Sequence, residues 1–324
     1  MNNRNTKPLV SVVVTTYNQE RTIAQTLDSI LSQRCDFTFE LVLGEDCSTD
    51  STRSICERYA AQYPDIVRLM PAAPNKGLLR NYADCVAACE GKYLAGCAGD
   101  DYWNGTDFLA QKVDFLEANP DYGVVHTDHD ILHMADGRLE KAHRKARRQI
   151  LHSEDRVFVE LMGEDPSGIA ALTMLVRLDL LRRYVDLYRY MELGFMMEDL
   201  PTWLELSQHT KFKYLDISSA TYRLADGSAC NNSTDFIKSE RFYKNSLNVR
   251  LWFLERYPHP EVHPDKVRNS FYRQMVYAAF KARHSEGFRT YIRLWKPLSC
   301  KERIVKILMH TPGLRALYRR HVLQ

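Results

Sequence analysis

Near its amino terminus this 324-residue chain has no apolar run longer than Leu9 to Val14. That is far short of the roughly 20 residues a bilayer span needs, and too short for a signal-peptide core. The expectation is a chain that starts and stays in the cytoplasm. None of its eight cysteines (Cys35, Cys47, Cys56, Cys85, Cys89, Cys97, Cys230 and Cys300) has a partner at the two-residue spacing of a zinc knuckle, so buried free thiols in a reducing compartment are expected. No segment repeats with a solenoid period. Hydrophobic residues at 45% and charged residues at 26% exclude a disordered chain and describe an ordinary globular one.

The net charge of +3 is unevenly spread. Residues 281–324 hold 11 Lys or Arg against Glu286 and Glu302, a balance of +9 that leaves −6 for the rest. A mildly acidic body with a basic tail suggests an anionic partner surface, with lipid headgroups ahead of nucleic acid. The tail places Ile304, Ile307, Leu308, Leu314, Leu317 and Tyr318 among Arg303, Lys306, Arg315, Arg319 and Arg320. Such a helix can lie in a membrane interface, or pack against the body or a second subunit as in a homodimer.

The first hundred residues alternate strand and helix patterns. Strands are expected at 9–16, 39–43, 66–70 and 92–97, with helices at 20–33, from 50 onward with Ile55, Tyr59 and Ala60 as its buried stripe, and at 78–90 between them. That order predicts an α/β fold, a Rossmann-like mostly parallel sheet with helices on both faces, in which ligands bind beyond the carboxyl ends of the strands. Thr15–Asn18, Glu45–Asp46 and Asp100–Asp101 fall at those ends. Further on, 107–118, 179–190 and the segment opening at Asp199 read as helices, with strands at 123–127 and 169–176. The basic stretch 136–150 reads as a solvated loop. From Asp235 the pattern is all helical. Boundaries are expected near 104 and 235, giving a first half (1–103) with the strand-end ligand rim, a second half of the same domain (104–234) and a helical carboxyl-terminal region (235–324).

Six segments in this order resemble a known motif set: VSVVVTTYN (10–18), LVLGEDCSTDST (41–52), NKGLLRN (75–81), GKYLAGCAGDDYW (91–103), MEDLPTWLEL (197–206) and YRLADGSAC (222–230). They are similar to the family 2 glycosyltransferases of the GT-A fold, over roughly residues 10–230. The resemblance implies an inverting enzyme that moves a sugar from a nucleotide-sugar donor to a glycan or lipid-linked acceptor.

Each proposed role has its own chemistry. Thr15, Tyr17 and Asn18 offer short donors and an aromatic face to a base or ribose. The resemblance makes Asp46 the acceptor for a base N–H, and Arg80 a ligand of a base carbonyl or phosphate oxygen. Asp100 and Asp101 form a strand-end carboxylate pair that cationic charge would stabilise. Mg²⁺ or Mn²⁺, shared with the diphosphate, would offset the charge that develops on the leaving group. The resemblance implies that Asp199 is the general base, with Glu198 pointing elsewhere, and that Tyr222, Arg223 and Ser228 close over the diphosphate. Trp203 is expected either on a sugar face or in the core. The motif usually has an acid two positions before the Asp-Asp pair, where this chain has Ala98.

Two other readings remain open. A nucleotidyltransferase would need a glycine-rich loop with a basic residue after the first strand, and 15–20 contains neither. A non-catalytic sugar-nucleotide-binding subunit is the second alternative. The cluster His126, Asp128, His129, Asp130 and His133 could be drawn as a transition-metal site, but strand alternation sets His126 and His129 on opposite faces.

Overall fold

A computed structural model describes residues 7–71, 74–147, 154–163, 168–224 and 235–311. They fall into two compact units, one made of 1–161 and 167–224, the other of 162–166 and 225–324.

The first unit is built on one sheet. Strand β1 (Val10–Thr16) buries its valines on both faces, as a central parallel strand must. Helix α1 (Ile23–Leu31) presents Ile23, Thr26, Leu27 and Ile30 to it, the i, i+3, i+4, i+7 stripe of an amphipathic helix. Strand β2 (Phe39–Glu45), α2 (Thr52–Gln62), β3 (Val67–Leu69), α3 (Leu78–Ala88) and β4 (Tyr93–Ala98) complete the expected alternation. Tyr59 of α2 donates its hydroxyl to Asp28 of α1 at 2.6 Å, which fixes these helices side by side. Fully burying each Val or Leu of this core stabilises the unit by about 1.5–3 kcal/mol.

The remaining elements are β5 (Tyr102–Trp103), α4 (Phe108–Ala118), β6 (Tyr122–His133), β7 (Leu139–Glu140), α5 (His143–Ala146), α6 (Val157–Met162), β8 (Leu175–Arg177), α7 (Leu178–Tyr184), α8 (Leu187–Glu192), α9 (Asp199–Leu206) and β9 (Lys211–Leu224). The sheet runs β3-β2-β1-β4-β8-β6-β9-β5, with β7 beside β6. Strands β3, β2, β1 and β4 are mutually parallel, as are β6 and β9, while β8 is antiparallel to both β4 and β6. Register matters for function. Thr16 lies opposite Glu45 and Thr15 opposite Ala98, so β1, β2 and β4 end level on one rim.

The structure departs from the sequence expectations where tertiary hydrogen bonds override local pattern. Of the strand expected at 169–176 only the last part forms, because the indoles of Trp203 and Trp103 donate to the carbonyls of Ile169 (3.0 Å) and Leu172 (3.1 Å). The helix expected at 179–190 is two, since Asp186 restarts it by accepting from the Arg189 N–H at 2.9 Å. Strand β6 runs through Asp128, His129 and Asp130, where polarity had suggested an end.

The second unit is helical: α10 (Phe236–Arg256), α11 (Pro264–Lys281), α12 (Ser285–Leu294) and α13 (Cys300–His310). Asp235 caps α10 and Ser299 caps α13. Phe236, Met275, Phe288, Tyr291, Trp295 and Met309 fill its core. No helix among the described residues is long and apolar enough to cross a membrane.

Candidate active site

The rim at the carboxyl ends of β1 and β2 is a cross-braced turn. Asn18 adopts a left-handed φ of 52°, a conformation asparagine tolerates. From there its N–H donates to Ser48 Oγ at 2.9 Å and its Oδ1 accepts from the Thr49 N–H at 2.8 Å. Asn18 therefore ties two loops together. Tyr17 beside it is 45% exposed, and Thr15 ends its strand level with Ala98.

Asp46 has a structural task that the sequence did not suggest. Its two carboxylate oxygens accept from the N–H groups of Lys76 (3.0 Å) and Gly77 (2.9 Å), and its carbonyl accepts from the Asn75 amide at 2.9 Å. Gly77 takes a φ of +82° there, and α3 begins at the next residue. A carboxylate has about four lone-pair sites, so capacity remains for a base N–H. Arg80, by contrast, is engaged on the outer side of α3. Its Nε meets Asp84 Oδ1 at 3.0 Å, and its guanidinium lies 5.1 Å from the ring centre of Tyr188.

At the end of β4 the chain turns through Gly99, Asp100 and Asp101. A side chain at Gly99 would place its Cβ 2.5 Å from Gln19 Oε1 and 2.7 Å from Thr16 Cβ, so only glycine lets this turn press against the β1 loop. Asp101 is 2% exposed. Its Oδ1 accepts the Arg223 N–H at 2.8 Å and its carbonyl accepts from Thr26 Oγ1 at 2.6 Å. The Arg223 guanidinium donates to the Asp100 carbonyl and to Gln25 Oε1, and it stacks 4.6 Å over Tyr102. Burial pushes the Asp100 carboxyl above its ordinary range. Burial and the neighbouring Asp100 charge push Asp101 well above it.

Two oxygen-donor groups that resist carrying negative charge unaided suit a hard divalent cation that completes its shell with phosphate oxygens. Among the described residues no cluster of three or more His, Cys, Asp or Glu could hold a metal without such help. Tyr222, next to Arg223 on β9, packs against the core of the sheet. Ser228 lies outside the described residues, as does the tail beyond Thr311.

The second acidic pair stands at the start of α9. The Asp199 Oδ1 accepts the Leu200 N–H at 2.7 Å. Burial, and then the charge of Asp199, push the Glu198 carboxyl up to about 7. The charge of Asp199 therefore reaches Glu198. Tyr82 of α3 faces the same pair, and burial followed by the Glu198 charge raises its phenol. Sequence reasoning missed Tyr82, a tyrosine on a helix with no motif character of its own. The neighbouring Asn81 donates to the Gly44 carbonyl at 2.7 Å, so the acidic pair is connected through α3 to the end of β2.

Other sequence expectations find definite places. Trp203 belongs to the core, 2% exposed. In the basic stretch after 136 the side chains of Arg138, Lys141, Lys145 and Arg147 are exposed, Arg144 is buried, Arg148 lies outside the described residues, and the backbone is held by two aspartates. Asp128 accepts the N–H groups of Arg144 and Lys145, both at 3.0 Å. Asp130 accepts from the Lys141 amine at 2.7 Å and the Ala142 N–H at 3.0 Å. His126 packs on Tyr214 and His129 on His143. A cleft of about 820 Å³, lined by Lys7, Leu9, Lys92, Arg177, Arg182 and Arg183 among others, lies at the opposite, amino-terminal edge of β1 and β4.

The segment that carries this rim matches a recognised sequence family. Residues 11–155 match the glycosyl transferase family 2 profile. Over this segment, a little under half of the chain, the sequence is similar to glycosyl transferase family 2. The matched segment carries the β1, β2 and β4 ends described above. EpsE of Bacillus subtilis (strain 168), a relative with a glycosyltransferase name, is 41% identical over 123 residues, 38% of this chain and 44% of EpsE. The chain spans less than half the length of the curated relatives it matches. In three dimensions it resembles residues 1–349 of Staphylococcus aureus TarS in complex with UDP-GlcNAc, with a TM-score of 0.59 at 19% identity, covering 88% of this chain and 79% of that one. It also resembles the mannosyltransferase PcManGT of Pyrobaculum calidifontis in complex with GDP-Man and Mn²⁺ (TM-score 0.56, 15% identity, 98% and 85% covered). These likenesses show a GT-A fold, followed in the chain by carboxyl-terminal helices.

Proposed function

We propose that the protein is an inverting glycosyltransferase that moves a sugar from a nucleotide-sugar donor, with a uridine diphosphate sugar as the first to test, to a hydroxyl of a glycan or lipid-linked acceptor. The observation that carries this reading is the Asp100–Asp101 turn, with Asp101 buried and both residues bound to Arg223, at the strand end where Thr15 lies opposite Ala98. The nucleotide sugars and the Mn²⁺ in the TarS and PcManGT complexes support it.

In this reading residues 1–103 hold the donor and 104–234 contribute the acceptor side. Tyr17 lies along the base or ribose, Thr15 and Asn18 shape the turn, and Asp46 accepts a base N–H with the capacity left by Lys76 and Gly77. Asp100 and Asp101 would hold Mg²⁺ or Mn²⁺, which when bound offsets charge on the departing diphosphate. Arg223 fixes the turn that presents those carboxylates. The acceptor oxygen attacks C1 as the bond from C1 to the phosphate oxygen breaks, and the hydroxyl proton passes to Asp199. The products are a glycoside of inverted configuration and a nucleoside diphosphate. Burial and the Asp199 charge raise the Glu198 carboxyl to about 7, so it takes up a proton more readily than an exposed glutamate.

The test pairs Asp199→Asn with Glu198→Gln. Asp199→Asn should bind the donor and lose transfer by roughly 10²–10⁴-fold, while Glu198→Gln keeps measurable transfer. A dead Glu198→Gln beside an active Asp199→Asn would move the base to Glu198. A product that retains the donor's anomeric configuration would refute the single displacement. Ala98 favours a second reading, a subunit that binds nucleotide sugar without transferring it. Donor binding with neither hydrolysis nor transfer across an acceptor panel would support that reading.

A further inference from the structure

The helical unit presents one surface that its own core does not use. Along α13, Met309 is buried, the Lys306 amine donates to the Trp295 carbonyl, and Glu302 pairs with Arg273 at 2.8 Å. The opposite side carries Ile304 and Ile307, 58% and 62% exposed, with Leu298 and Leu294 exposed on the approach from α12. Arg293, Lys296, Lys301 and Arg303 are exposed among them. The only acid between 293 and 311 is Glu302, and its carboxylate is occupied by Arg273.

Single exposed apolar residues are ordinary on a soluble protein. Four of them interleaved with four unopposed cations are a patch with a defined chemistry. Charge decides the occupant. In a two-fold dimer this surface would meet its own copy, cation against cation. Residues 312–324 supply Arg315, Arg319 and Arg320 and no acid, so they would add to the repulsion if folded back over it. The patch needs a partner that is anionic on its surface and apolar just beneath.

We infer that α13 and the segment leading into it dock on an anionic lipid bilayer, with Ile304, Ile307, Leu298 and Leu294 entering the interface and Arg293, Lys296, Lys301 and Arg303 meeting the headgroups. The inference stands on the helical unit alone, so its failure would leave the transferase reading untouched.

Co-sedimentation of the full chain with vesicles tests it, using phosphatidylcholine alone and phosphatidylcholine mixed with phosphatidylglycerol. Binding is expected only to the mixed vesicles and should weaken as salt is added. Lys301→Gln with Arg303→Gln should lower partition by about thirtyfold, at about fivefold per cation. Ile304→Ser with Ile307→Ser should lower it by roughly tenfold or more. All four positions are exposed, and an unchanged circular dichroism melt confirms that each variant folds. Absent binding, equal binding to neutral vesicles, or wild-type binding by both double variants overturns the inference. So does a concentration-dependent dimer that Ile304→Ser with Ile307→Ser abolishes in a protein that ignores vesicles, or capture of an acidic protein in place of lipid.

Discussion

The backbone N–H of Arg223 donates to Asp101 Oδ1 at 2.8 Å across a sequence separation of 122 residues. The far end of β9 therefore positions the carboxylate that β4 delivers, and the Arg223 side chain holds Asp100 from the other side. Arg223→Ala keeps the first bond and removes the second. Loss of a buried charged donor should destabilise the protein by about 1–3 kcal/mol, and metal-dependent donor affinity should fall further than the melting temperature suggests. A variant that melts lower but binds donor like wild type would reduce Arg223 to a purely structural brace.

Asp46 holds the Lys76 and Gly77 N–H groups, and the proposed base contact would add to that task. Asp46→Ala removes the acceptor for the Lys76 and Gly77 N–H groups and any base contact together. Asp46→Asn can still accept on one oxygen but turns an NH₂ toward a backbone N–H, so it should cost about 1–3 kcal/mol in chemical denaturation. Both should weaken uridine nucleotides more than they lower turnover at saturating donor, because a base contact is largely uniform binding. A fall in kcat with unchanged nucleotide affinity would contradict the base-binding role.

Glu198 gives a pH signature. Its carboxyl stands at about 7 in the folded chain against about 4.3 for an unperturbed glutamate. Between those values the native state binds more protons than the unfolded one, so this group's contribution to stability is complete below about pH 4 and is lost as pH rises through about 7. Glu198→Gln removes that loss. Its melting temperature relative to wild type should climb across the same window and level off above it. A difference that stays flat with pH would show that Glu198 is not held protonated.

Gly99→Ala tests the contact between the β4 turn and the β1 loop. The added Cβ would collide with Gln19 and Thr16, displacing the turn by some tenths of an ångström. Donor binding should drop while the isolated fold survives. Wild-type affinity in this variant would show that the rim tolerates misplacement.

Much of this was legible in the sequence because the first four strands are continuous apolar runs, and their polar ends mark a ligand rim by topology alone. The carboxylate pair was visible for the same reason, whereas Glu198 and Asp199, at the start of α9, stood out through the resemblance of their motif. Hidden features depend on partners distant in sequence. Strand β9 lacks clean alternation because its residues pair with the polar stretch of β6. Nothing local reveals that Asp128 and Asp130 hold the backbone of the basic segment. The engagement of Arg80 with Asp84 and Tyr188 depends on α8 packing beside α3, which no motif announces.

The central claim is that Asp100 and Asp101 make a metal-assisted nucleotide-sugar site. Calorimetric titration of uridine diphosphate sugars into the wild type and into Asp100→Ala and Asp101→Ala, each with Mn²⁺ and with EDTA, tests it most directly. The account predicts saturable binding in the wild type that requires Mn²⁺ and disappears in both variants, whose melting curves show an intact fold. Donor binding that is indifferent to EDTA, or that survives in both variants, would contradict it.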